Sequence, residues 1–199
     1  MSNGRIISMD MGGKAEDEAM KARRKSIEVW MLTTFQGQKM VLLLNVPPSV
    51  ARRPERFWQP ITGGVRAGET AEEACLREIK EETGVEVQLN ELTKWPHSFE
   101  LELADTHLSK TLFLAELDHP PPRVQINPEK HDAYQWVAIE QCPEWLFWPS
   151  NHATWAEVVT KLSEEQDKSH GTRLVSRQLP YRVSLAEITD TCVCNEFRY

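Results

Sequence analysis

Positive charge is what this chain is short of. Its 23 lysines and arginines face 30 aspartates and glutamates, for a formal net charge of −7. Such a balance excludes nonspecific nucleic-acid binding, which rests on a basic surface. It leaves room for a phosphorylated small molecule, because a divalent cation can bridge two anionic partners. Long apolar runs are also missing. No stretch nears the roughly 20 residues that a membrane span needs. Residues Met1–Glu18 are largely polar and lack the apolar segment of a secretory signal. There are only four cysteines. Cys75 sits among small apolar residues and reads as packing, Cys142 is isolated, and Cys192-Val-Cys194 lacks the second ligand pair of a zinc site. Together these absences predict a protein of the reducing cytoplasm with no membrane contact. Internal repeats and low-complexity runs are absent as well.

What is present fits one domain with tails. A chain of 199 residues with 40% hydrophobic content can build a core without disulfides. Residues 1–25 show no sustained period and read as a flexible lead-in. From Ser26, Ile27, Val29, Met31 and Thr33 alternate with Glu28, Trp30 and Leu32, the period of a strand. Lys39–Val46 reads as a second, buried strand, with Gly37 between the two as a hairpin turn. Pro47, Pro48 and Pro54 mark a loop carrying Arg52, Arg53 and Arg56. Phe57–Thr62 reads as a short strand. Further strands are predicted at Val85–Leu92, Ser98–Leu103, Thr111–Leu117 and Tyr134–Ile139, with Asp105–Lys110 as a turn. Ala153, Ala156, Val159 and Leu162 have helical spacing. Strands interleaved with two helices predict a mixed α/β domain over residues 26–166. Residues 167–199 form an extension in which Tyr181–Ile188 could add a strand. That tail is open to three uses: packing on the core, extending a pocket or making a homodimer contact.

The most informative segment is 63–85. It holds Glu78, Glu81 and Glu82 at i, i+3 and i+4, hence on one face of a helix. Thr70 can cap that helix, Glu73 can complete a capping box, and Gly84 suits the position past its end. The acids therefore lie at the negative end of the helix dipole. Like charges at these spacings cost about 0.2–0.5 kcal/mol each, and the dipole adds a similar penalty. A bound cation reverses that cost, and grouped carboxylates suit Mg2+ or Mn2+. A solvated acidic face, partly neutralised by Arg77 and Lys80, is the plainer alternative. The preceding Gly63, Gly64 and Gly68 favour the metal, because a glycine loop lets backbone approach an ion or a phosphate.

In full, the segment resembles the Nudix box, Gly-x5-Glu-x7-Arg-Glu-U-x-Glu-Glu-x-Gly-U, where U is a bulky aliphatic residue. Gly63, Glu69, Arg77, Glu78, Ile79, Glu81, Glu82, Gly84 and Val85 fill all nine fixed positions. The box covers about a ninth of the chain. The resemblance implies an α/β/α sandwich around a mixed sheet. It also implies Mg2+-dependent (or Mn2+-dependent) hydrolysis of a pyrophosphate linkage in a nucleotide or a similar phosphorylated small molecule. By position, Glu78 and Glu82 would ligate the metal, Glu81 would complete the cluster and the Gly63 carbonyl would add a ligand. These three acids are the candidate catalytic residues. Arg77 would brace Glu69.

The general base is open. Many family members carry Glu-His shortly before an aromatic residue and Trp. Here the segment reads Glu129-Lys130-His131-Asp132-Ala133-Tyr134-Gln135-Trp136, so Lys130 stands where that Glu would be. Glu129 could substitute through a loop shift, or Glu100 or Glu102 from the preceding strand. Glu129 and His131 are candidate substrate contacts. Trp58 suits either the core or a pocket wall that stacks on a base. The run Phe57–Gly64 is similar to bacterial Nudix members that act on dATP or dihydroneopterin triphosphate, and Trp148–His152 echoes them. That directs the substrate toward a nucleoside or pterin triphosphate. ADP-ribose, nucleotide sugars and dinucleoside polyphosphates are the alternatives, and a non-catalytic nucleotide sensor is the alternative of another class.

Overall fold

Both alternating sets of residues in the first strand are buried, which identifies it as the centre of a sheet covered on two faces. The computed structural model describes residues 22–51, 54–103, 106–118 and 120–170. The expected lead-in before residue 22, the tail beyond 170 with Cys192 and Cys194, and Arg52 and Arg53 lie outside the described residues. Strand β1 spans Ala22–Phe35 and β2 spans Gln38–Val46. Gln36 and Gly37 join them with positive φ at both positions (50° and 80°), the requirement of a tight hairpin turn. After a short helix α1, Pro48–Ala51, come β3, Phe57–Gln59, and β4, Ile61–Gly64. Helix α2 is Ala71–Thr83. Strands β5, Leu92–Glu102, and β6, Thr106–Leu117, form a hairpin. Strand β7, Ala133–Ala138, short helix α3, Cys142–Trp145, and α4, Pro149–His170, complete the described chain.

The sheet is mixed. Its main order is β3-β2-β1-β6-β5, with β4 paired to β1 and β7 to β2. β1 runs parallel to β6, and every other pairing is antiparallel. The length of β1 lets its first half pair with β4, through Ile27–Gly63, and its second half with β2, through Leu32–Val41. Ile27, Val29, Met31, Leu42, Leu44 and Phe113 pack with Ala74, Cys75 and Ile79 of α2 on one face. Trp30, Leu32, Val41, Leu43 and Leu114 pack with Trp155, Val158 and Leu162 of α4 on the other. The unbroken Val41–Leu44 run thus feeds both layers, and an α/β/α sandwich results.

Several boundaries differ from the expectation: β5 begins at Leu92 and not at Ser98, and α4 extends from Pro149 to His170. β1 begins at Ala22, so residues 22–25 belong to the sheet and not to the lead-in. Val85–Glu91 is not a strand, and Leu92 opens β5. Val85 and Val87 are buried against α2 at alternate positions, but among the described residues no strand pairs with them, and Leu89–Glu91 forms a 3-10 turn. Thr106–Lys110 is the start of β6 and not a turn, because it continues the parallel ladder along Ala22–Ser26. Phe57–Thr62 is split at Pro60 into two strands with different partners.

Candidate active site

The acidic helix is fixed at both ends by its own sequence. Thr70 and Glu73 form the reciprocal capping box, and Gly84 ends the helix at φ 69° with its N–H donating to the Lys80 carbonyl. In front of it, Glu69 N–H donates to the Arg66 carbonyl across a turn with Gly68 at φ 81°. Arg77 then ties this loop to the helix. Its Nε and Nη2 donate to the two Glu69 oxygens at 2.7 and 2.9 Å, and Nη2 also donates to the Gly64 carbonyl at 2.9 Å. The Arg77 guanidinium beside Glu69 holds its carboxyl down at about 2, and Glu69 in turn raises Arg77. This is the bracing role expected of the pair.

Glu78 and Glu82 are buried, at 4% and 2% exposure, whereas the Glu81 side chain stays open to solvent. Glu78 accepts from Arg77 Nη1 at 2.6 Å. Glu81 accepts from Arg66 Nη2 at 3.1 Å and from Arg77 Nη1 at 3.3 Å. Gly63, delivered by β4, lies directly against Glu78. A Cβ there would meet the Glu78 carboxyl carbon at 2.1 Å, so any residue other than glycine would have to displace the Glu78 side chain. Among the described residues Glu82 Oε2 makes no hydrogen bond, and its nearest polar neighbour is His131 Nε2 at 3.4 Å. Two buried carboxylates, one oxygen outside any hydrogen bond and the bare backbone of Gly63 beside Glu78 suit a hard divalent cation.

The cation present is a side chain. Lys130 Nζ lies between the acids, donating to Glu78 Oε2 at 3.0 Å and Glu82 Oε1 at 3.1 Å. Burial opposes its charge, but Glu82 and Glu78 outweigh burial and hold the Lys130 pKa above the ordinary value. Its loop is anchored to the end of α2. Gln125 N–H donates to the Thr83 carbonyl and Asn127 N–H to the Glu82 carbonyl, using acceptors that a helix end leaves open. The Asn127 carbonyl accepts from Lys130 and His131, and its side chain accepts from Glu129 N–H. Among the described residues, no three His, Cys, Asp or Glu side chains converge as a metal-ligand group.

The other expected contacts separate. His131 is 1% exposed. Its Nδ1 faces the Asn45 carbonyl at 3.3 Å and its Nε2 faces Glu82 Oε2 at 3.4 Å, so the ring backs the acid instead of reaching outward. Glu129 is exposed, next to Lys130 in the same turn. Trp58 is half-buried and packs edge-on against Trp145 with centroids 5.2 Å apart. With the Asn45 amide oriented to satisfy its neighbours, it accepts from Trp58 Nε1 at 3.2 Å and donates to Asp132 at 2.7 Å. Glu100 and Glu102 lie on β5 against His107 and do not join the acids of α2.

The NUDIX domain family model matches residues 22–158. The chain belongs to the Nudix hydrolase family. A dihydroneopterin triphosphate diphosphatase of Escherichia coli K12 is 30% identical over 129 residues, 59% of this chain and 81% of that protein. An octanoyltransferase of Myxococcus xanthus is 41% identical over 101 residues, 47% of this chain; the match spans only 28% of that protein's length. The solved structure of the E. coli dihydroneopterin triphosphate pyrophosphohydrolase superposes with a TM-score of 0.56 at 26% identity, covering 71% of this chain and 99% of that one.

Two features of this Nudix domain escape a reading of the box. Arg66, inside the loop, reaches Glu81 and was signalled only by its place between Gly64 and Gly68. On the opposite face of the sheet, Glu28 is buried at 0% exposure and accepts from Lys110 Nζ at 2.8 Å, Trp30 Nε1 at 3.0 Å and Asn151 Nδ2 at 3.0 Å, and from Thr154 Oγ1. A glutamate inside the otherwise apolar run Ile27–Leu32 of the central strand was its sequence signal. Its partner was not readable, being 82 residues away.

Proposed function

We propose that this protein is a Mg2+-dependent pyrophosphohydrolase, with Mn2+ as a substitute. It would cleave a phosphate anhydride in a nucleoside triphosphate or pterin triphosphate. The observation that carries this reading is the buried pair Glu78 and Glu82, with Glu78 packed against the bare backbone of Gly63. In this reading Glu78, Glu82 and the Gly63 backbone hold the ion, with Glu81 completing the cluster at its solvent side. A divalent ion bound there supplies charge neutralisation for the phosphoryl oxygens and a lowered pKa for water. Glu81 is the acid open to solvent and takes the proton from the attacking water. Arg66 and Arg77 keep Glu81 in place. His131 backs Glu82 and fixes its orientation. Trp58 and the exposed Glu129 are the candidates for contact with the substrate beyond its phosphates. The E. coli diphosphatase, with its aligned 129 residues, supports the triphosphate class.

The deciding experiment is a substrate panel with Mg2+ and with Mn2+, scored for released phosphate or pyrophosphate. It should include nucleoside and pterin triphosphates, ADP-ribose, a nucleotide sugar and a dinucleoside polyphosphate. Triphosphates should be cleaved fastest. Cleavage of ADP-ribose alone would move the substrate class, and binding without cleavage of any anhydride would make the protein a nucleotide sensor. Glu82→Gln removes one charge at constant shape and should lower metal-dependent turnover by at least about 100-fold while circular dichroism stays unchanged.

A further inference from the structure

We propose that Lys130 is a built-in counter-ion that competes with the divalent metal, so that metal binding is a displacement rather than an addition. The inference rests on the metal reading above. Lys130 Nζ touches one oxygen of each buried acid, at 3.0 and 3.1 Å. An ion held by both carboxylates needs that same space. The ammonium solves a problem that every metal-free copy of the protein faces. Two carboxylates at 4% and 2% exposure would otherwise sit close together with little solvent to screen them. Arg77 answers only one oxygen of Glu78, and Glu82 receives nothing from Arg77.

The surroundings let the ammonium leave. The Lys130 side chain retains 19% exposure, against 6% and 3% for the two acids, so it enters from the solvent side. Its backbone is held by the Asn127 turn on the end of α2, which fixes where the lysine starts without fixing its four-carbon stem. In its inward position the lysine lowers the apparent metal affinity by the fraction of time that the acids are vacant. In its outward position it carries a positive charge beside the bound ion, where an anionic phosphate chain would lie. The metal-free protein gains stability, and the metal-loaded protein gains a cation at its entrance.

Direct Mn2+ binding tests this without any turnover. Isothermal titration and electron paramagnetic resonance would be run on wild type, Lys130→Gln, Lys130→Arg and Glu82→Gln. Lys130→Gln should bind Mn2+ at least tenfold more tightly than wild type, and Lys130→Arg, which keeps the charge, should stay near wild type. In EDTA, Lys130→Gln should melt below wild type, and Mn2+ should raise its Tm by more than it raises that of wild type. Equal Mn2+ affinity of wild type and Lys130→Gln would overturn the competition and leave the metal site standing. Saturable binding by none of the four proteins would remove the metal reading itself, and the competition with it. Lysine acylation of wild type, read by mass spectrometry, keeps the idea testable if Lys130→Gln fails to fold. Labelling of Lys130 should rise several-fold on adding Mn2+, and unchanged labelling with Mn2+ bound would refute displacement.

Discussion

Gly63 is required for its lack of a side chain. A Cβ at this residue would fall 2.1 Å from the Glu78 carboxyl carbon. Gly63→Ala should therefore push Glu78 out of its place while leaving the strand intact, because the position is otherwise ordinary extended backbone. A misplacement of about 1 Å costs on the order of 100-fold in rate, so kcat should fall by about that much with circular dichroism unchanged. Wild-type kcat in Gly63→Ala would mean that Glu78 has no fixed task. At this scale the sequence was informative wherever spacing alone decides contact. Glu78 and Glu82 share a face because they are four apart on a helix, and Arg77 meets Glu69 across a loop of known length. The Lys130 ammonium was beyond reach, because its contact with Glu78 spans 52 residues and depends on the path of a loop. The orientation of His131 was lost for the same reason. A histidine in that segment could have faced substrate, and the turn at Asn127 aims it behind Glu82.

The loop before α2 and the helix itself act as one element because Arg77 joins them. That joint has a pH signature. The Glu69 pKa is depressed from 4.5 to about 2, chiefly by the Arg77 hydrogen bonds. A carboxyl lowered on folding stabilises the native state above its unfolded pKa, and the benefit is lost as pH falls through the folded value. The contribution is therefore full at neutral pH and fades between about 4.5 and 2. Urea unfolding should find Glu69→Gln less stable than wild type at pH 7, with the gap narrowing below pH 4.5. A gap that stays constant down to the acid limit would place the stabilisation elsewhere. Element types were readable where local chemistry sets them, as with the capping box of α2 and the turn at Gly37. Pairing was not. Val85 and Val87 alternate as strand residues do, yet among the described residues no neighbouring strand reaches them, whereas the polar Thr106–Lys110 joins the sheet because the first residues of β1 run alongside.

Across the whole molecule, the two helical layers are held by different chemistry. On the α2 face the contacts are mostly aliphatic, with Phe113 among them. On the α4 face a tryptophan-rich apolar cluster surrounds the buried Glu28–Lys110 pair, to which Asn151 and Thr154 of α4 are bonded. This network ties helix to sheet at one point, and it is legible only in three dimensions. Lys110→Met should leave the Glu28 carboxylate without its cation and cost about 3–5 kcal/mol, as removal of one member of a buried pair does. The double variant Glu28→Leu with Lys110→Met should recover only the part of that loss due to the unpaired charge, because the buried donors of Trp30 and Asn151 then lose their acceptor. Urea denaturation of the three proteins measures both. A double variant no more stable than Lys110→Met would show that the network supplies more than charge compensation. The apolar run at Val41–Leu44 was readable as a buried strand, whereas the sandwich was implied by the resemblance of residues 63–85 and not by that run.

The pairing of Ile27 with Gly63 has a wider consequence. If β4 slipped by one residue along β1 so that Thr62 took the position beside Glu78, the side-chain faces of the strand would invert. Threonine brings the Cβ that this position rejects. A molecule threaded one step wrong could still collapse and bury most of its apolar surface, yet it would have no working pair of acids. Catalytic competence thus rules out that slipped form. Counting active sites in a refolded sample would count the correctly threaded chains, which spectroscopy of secondary structure alone cannot separate from their slipped counterparts.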